Sequence, residues 1–171
     1  AKSIDHLERA LAGTIELHGE ANNTVALMYS NLSAMWLSKG DYARSRENGE
    51  KALAIQIRIF GEGHPTNVLI YNALANGYVK QGDYESALAN FLKALHVQDD
   101  IFGSDNAATA TILNNIGFAY SEMGDYDKAR SYYERALSIE LDSVGPWHAN
   151  VAMTYNNLAN LCMMLKEYAK A

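Results

Sequence analysis

The sequence predicts an all-α fold of stacked antiparallel helix pairs. Three observations lead there: a tripeptide that recurs every 42 residues, a second marker in step with it, and apolar spacing of helical period throughout. Gly40-Asp41-Tyr42 returns as Gly82-Asp83-Tyr84, as Gly124-Asp125-Tyr126 and, altered, as Lys166-Glu167-Tyr168. Gly19, Gly61, Gly103 and Gly145 keep the same period, with Ala10, Ala52, Ala94 and Ala136 preceding them in step. Alternation at period two is absent, so no sheet is expected.

Each unit reads as two helices, A and B. In the unit from 108, Leu113, Ile116, Gly117 and Tyr120 fall at i, i+3, i+4 and i+7, the apolar stripe of helix A. Gly124 then suits a tight turn, and the Asp125 carboxylate can cap the exposed amides of helix B. Helix B carries Ala129, Tyr133, Ala136 and Leu137 on one face and is expected to stop near Gly145. The same plan places a helix B at 1–18, A/B pairs at 24–39 and 41–60, 66–81 and 83–102, and 108–123 and 125–144, then a helix A at 150–165 and a stub from 167. The organisation expected is one domain: a half repeat over 1–23, repeats 24–65, 66–107 and 108–149, and a partial repeat 150–171. Half-units at both ends point to a piece of a longer array.

Composition narrows the function classes. A net charge of −6 and a pI near 5.3 argue against nucleic acid and against polybasic membrane contact, both of which rest on clustered Lys and Arg. No apolar run approaches the roughly 20 residues of a membrane span, and the start lacks the apolar stretch of a signal peptide. Cys162 is the one cysteine, which excludes an internal disulfide and fits a reducing, cytoplasmic setting.

The residues resemble the tetratricopeptide repeat. The pattern of bulky, Leu-Gly or Leu-Ala, and aromatic positions in helix A, followed by Ala, aromatic and Ala in helix B, is met by Tyr71, Leu74, Ala75, Tyr78, Ala87, Phe91 and Ala94. It is met again by Leu113, Ile116, Gly117, Tyr120, Ala129, Tyr133 and Ala136. The earlier unit fits less well, with Tyr29, Leu32, Ser33, Trp36, Ser45, Gly49 and Ala52. The usual repeat is about 34 residues. The longer period here, with Tyr155-Asn156-Asn157-Leu158-Ala159 in helix A and Phe60-Gly61-Glu62-Gly63-His64-Pro65 closing helix B, is similar to the kinesin-light-chain class. The resemblance implies a right-handed α-α superhelix, since a helix pair cannot cover its own apolar stripe and must stack on its neighbours.

It also implies that the helix A face opposite the core lines a concave groove for a protein or peptide ligand. Asn31, Asn72, Asn76, Asn114, Asn115, Phe118, Asn156, Asn157 and Asn160 are the candidate groove residues. Asparagine is a mediocre helix former, and a ladder of carboxamides offers donors and acceptors to an extended backbone. Leu69, Phe118, Met153 and Met163 would supply side-chain pockets. The alternative is that these amides bond to adjacent helices and set the pitch. Chaperone-binding relatives grip a C-terminal carboxylate with basic residues where Ser30, Asn72, Asn114 and Asn156 stand here, so that clamp is not expected. Nor is the acidic, tryptophan-centred cargo of kinesin light chains, because the face offers mainly Lys80, offset by Glu122.

No catalytic, metal or cofactor site is expected. His6, His18, His64, His96 and His148 form no ligand pair of the HExxH type, and there is no phosphate loop, nucleophile elbow or Cys-x-x-Cys. His64 and His148 share a repeat position with Asn22 and Asn106, which suggests loop or capping roles. Cys162 aligns with Tyr78 and Tyr120 and is expected in the core. The alternatives to an adaptor that binds an extended peptide or a partner helix are a scaffold that self-associates end to end and a regulatory array attached to another domain.

Overall fold

The computed structural model describes residues 2–168, with side chains from 3 to 165. Among them run eight helices and no strand: α1 (Lys2–His18), α2 (Asn23–Ser38), α3 (Tyr42–Phe60), α4 (Pro65–Gln81), α5 (Tyr84–Phe102), α6 (Ala107–Glu122), α7 (Tyr126–Val144) and α8 (Ala149–Tyr168). The chain divides into two compact units, residues 1–90 and 91–171, with the boundary inside α5. In the first unit α1 packs on α2, α2 on α3 and α3 on α4; in the second α6 packs on α7 and α7 on α8.

The recurring Gly-Asp-Tyr has a local cause. At the end of α2, Gly40 N–H donates to the Leu37 carbonyl at 3.0 Å and Asp41 N–H to that of Trp36 at 3.0 Å. This is the paired closure of a helix whose next residue is left-handed, and Gly40 has φ of 77°. The same pair of bonds closes α4 through Gly82 and Asp83, and α6 through Gly124 and Asp125. The aspartate then serves the next helix: Asp41 accepts from Arg44 N–H at 3.1 Å, and Asp125 from Lys128 N–H at 3.3 Å. One residue thus ends helix A and caps helix B. Its hydrogen bond and ion pair with Lys128 hold the Asp125 carboxyl below its ordinary pKa.

Where the tripeptide is altered, the turn is lost. The stub expected from 167 is not separate, because α8 continues to Tyr168. Lys166 and Glu167 replace the glycine that takes positive φ and the aspartate that caps. Residues 169–171 lie outside the described part.

The cores take in Leu32, Ala52, Leu74, Ala129 and Tyr133 of the expected stripes, together with residues outside them. Ile4, Leu11, Val25 and Leu32 form one cluster and Ala52, Ile70 and Leu74 another in the first unit. In the second, Ala129, Tyr133 and Leu161 pack together. Small residues set how near the helices come: a β-carbon added at Gly117 would lie 2.8 Å from the Tyr133 ring and 3.2 Å from the Ala129 carbonyl oxygen. Gly117→Ala should therefore destabilise the fold by about 1–3 kcal/mol through overpacking, read as a lower midpoint in urea unfolding followed by circular dichroism, even though alanine is the better helix former.

Candidate functional site

In the first unit the A helices α2 and α4 touch, and their shared face carries exposed apolar side chains, Leu27 at 52% and Leu69 at 73% exposure. Asn31 and Asn76 are exposed, and Asn72 is half-buried with its Oδ1 lacking a partner. A pocket of about 160 Å³ opens on this face, lined by Leu27, Ser30, Leu69, Ile70 and Ala73, with Gly49 of α3.

In the second unit α6 and α8 form the corresponding face. A cleft of about 350 Å³ brings together Phe118, Ser121 and Glu122 of α6, Tyr133 of α7, and Asn157, Asn160, Met163 and Met164 of α8. Asn160 and Phe118 are exposed and Asn157 is half-buried, while Met153, Met163 and Met164 remain open. Half-buried Asn115 and exposed Asn156 are not among the cleft's lining residues. Tyr133 is almost wholly buried behind the cleft, and that burial, with the nearby Glu122 carboxylate, pushes its hydroxyl pKa up to about 12.

Asn114 stands apart from the other candidates. It is 4% exposed, and its amide donates to Glu140 Oε1 at 3.0 Å and to Thr154 Oγ1 at 2.7 Å. Thr154 in turn donates to Glu140 Oε2 at 2.7 Å, closing a buried triangle among α6, α7 and α8. For this residue the bonding to adjacent helices is what the structure shows, and the open surface expected for it is absent. Only its Oδ1 lacks a partner.

The triangle belongs to a series that the 42-residue period contains but that the reading for surface residues passes over: Gln56, Gln98 and Glu140, all buried. Gln56 donates to Asn23 Oδ1 at 2.8 Å and accepts from Thr66, and Gln98 donates to Asn106 Oδ1 at 3.1 Å. Each ties a B helix to a neighbouring A helix. Asn106 also accepts from the Ala108 and Thr109 amides, so it caps α6 while being held itself.

His64 and His148 do cap, His64 accepting from Thr66 N–H at 3.4 Å and His148 from Asn150 N–H at 3.2 Å. Cys162, expected in the core, is exposed. Leu161 fills the interior instead, packed with Ala129 and Tyr133. No helix of the described residues is long and apolar enough to cross a membrane.

A repeating helix pair with polar ties between successive helices and an open A face defines an all-α repeat protein of the solenoid class. The tetratricopeptide repeat profile matches at residues 24–100, 67–142 and 108–171, and the chain belongs to that family. Among solved structures, BtubC (BKLC) from P. vanneervenii is 26% identical with a TM-score of 0.86, the match covering 99% of this chain and 68% of that one. A Podosopora anserina structure of nearly identical, kinesin-light-chain TPR-like repeats is 16% identical with a TM-score of 0.84, covering 99% of this chain and 80% of that one. The apo form of RapI is 23% identical with a TM-score of 0.80, covering 97% of this chain and 44% of that one. The repeats share the fold of these kinesin-light-chain TPR-like repeats. Comparison with the curated proteins gives no match.

Removing the acceptor of the buried triangle should be costly. Glu140→Ala leaves one Asn114 amide N–H without its acceptor and is expected to cost about 1–3 kcal/mol. Glu140→Gln, the residue type at positions 56 and 98, should retain most of that stability, since its carbonyl oxygen can still accept from the Asn114 amide. Thermal unfolding of the two variants beside the native chain checks the order.

Proposed function

We propose that the chain is a protein-interaction module that binds an extended peptide along the A-helix face, with no catalytic step of its own. The observation that carries the reading is the second-unit cleft, where the carboxamides of Asn157 and Asn160 stand beside Phe118, Met163 and Met164. A peptide backbone needs donors and acceptors at short intervals, and each carboxamide supplies both. Its side chains need apolar cover that adapts, and unbranched methionines provide it. Exposed apolar groups gathered at a cleft are characteristic of a binding surface.

Family membership supports the same direction, because tetratricopeptide repeats generally mediate protein–protein contacts and generally act as non-catalytic scaffolds. The face in the first unit, with Asn31, Asn72, Asn76, Leu27 and Leu69, offers the same mixture of amides and open apolar groups. Asn114 is left out of the binding set, since changing it would disturb the helix packing.

The test is selection of peptides from a random display library on the purified chain, followed by affinity measurement with Asn157→Ala/Asn160→Ala. Loss of about 1–3 kcal/mol, or roughly 5- to 150-fold in Kd, is expected with helicity unchanged. Unchanged affinity would move the ligand off this face. Failure to capture any peptide, together with a mass that grows with concentration, would favour the self-associating scaffold.

A further inference from the structure

The pocket of the first unit arises where three side chains are smaller than their repeat equivalents. Gly49 stands where other repeats have Phe91 and Tyr133, both buried aromatics. Ala73 stands where they have Asn31, Asn115 and Asn157, and Ser30 where they have Asn72, Asn114 and Asn156. All three reduced residues line the same 160 Å³ pocket. Helix approach has closed part of the space left by the missing ring: a β-carbon on Gly49 would lie 2.6 Å from Leu74 Cδ2 and 3.2 Å from Ser33 Oγ. The remainder stays open, with Leu27 and Leu69 exposed beside it.

The buried polar side chains in the wall, Ser33 and Gln56, are already bonded. Ser33 Oγ donates to the Ser45 carbonyl at 2.7 Å, and Gln56 bonds to Asn23 and Thr66. None of the buried polar atoms that lack a partner belongs to a residue lining this pocket. An occupant therefore gains little from polar groups and much from leaving water. A cavity of about 150 Å³ with apolar walls holds one benzene ring, so the open volume suits a single side chain between leucine and phenylalanine in size.

We propose that this pocket is an anchor site for one bulky apolar side chain, leucine to phenylalanine in size, carried by the peptide bound on the A-helix face. It rests on the function proposed above and adds a specificity element to it: the bound segment supplies the side chain that the repeat lacks at Gly49. The reduced Ser30 and Ala73 let the ligand backbone come near enough to insert it. By the same reasoning the second unit, where Tyr133 keeps its ring, does not require such an anchor.

Two probes separate the pocket from the groove. Toluene titrated into the chain should give saturable NMR shifts at the methyl groups of Leu27, Leu69 and Ile70, lost in Ala73→Trp, a substitution at an exposed position. Gly49→Phe should also abolish them, and Ala73→Trp serves alone if that variant does not fold. Peptides selected on the native chain should share a leucine, methionine or phenylalanine whose change to alanine weakens binding about 10- to 100-fold on the native chain and little on Ala73→Trp. Absence of saturable toluene shifts would overturn the pocket. Peptides that bind Ala73→Trp undiminished would overturn the anchor while leaving the groove reading intact. Toluene bound at the pocket with no peptide captured anywhere would overturn the groove reading, and the side-chain occupant with it.

Discussion

How closely helix A can approach helix B is the constraint on which the other features depend. A backbone that carries only a hydrogen at Gly117 allows the Tyr133 ring to lie across it, and Ala129 and Ala136 keep the rest of that contact shallow. Packed helices sit about 8–10 Å apart according to the side chains between them. Small residues on one helix therefore decide which large residues the other can carry. Where the pairing is small against aromatic, the interior fills. Where it is Ser33 against Gly49, it fills only in part, and the shortfall becomes a pocket.

Close packing of this kind controls distance but not register, which apolar contacts leave loosely specified. The buried Gln56, Gln98 and Glu140 add directional bonds from B helices to neighbouring A helices. Buried polar groups are expensive unless bonded, so a helix slipped by one residue would strand them. Their effect on function is indirect. By holding α6 and α8 side by side, the Asn114–Glu140–Thr154 triangle leaves Phe118, Asn157 and Asn160 on a common open face.

Much of the fold was legible in the sequence because its signals are local. Gly40 and Asp41 announce a helix end and a helix start through backbone geometry that needs no partner elsewhere, and the structure has both. His64 could be recognised as a cap because Asn22 and Asn106 stand at the same repeat position. The candidate site was only partly legible, since face assignment from a 100° step cannot tell a half-open position from a closed one. Asn114 and Asn72 occupy equivalent places, yet Asn114 is buried against Glu140 and Thr154. Cys162 was misplaced for a similar reason: it matches Tyr78 and Tyr120 by number, but that position is only half-buried where the tyrosines stand and open where Cys162 stands. The pocket at Gly49 depends on which volumes meet across three helices, and spacing along one helix does not record that.

The most direct test of the central claim is the crystal structure of the chain with one captured peptide. The account predicts an extended backbone within hydrogen-bonding distance of the Asn157 and Asn160 carboxamides, with a ligand side chain against Phe118 and Met163. A peptide seated on the outer surface of α7, or chains packed against one another with α8 uncovered by ligand, would contradict it.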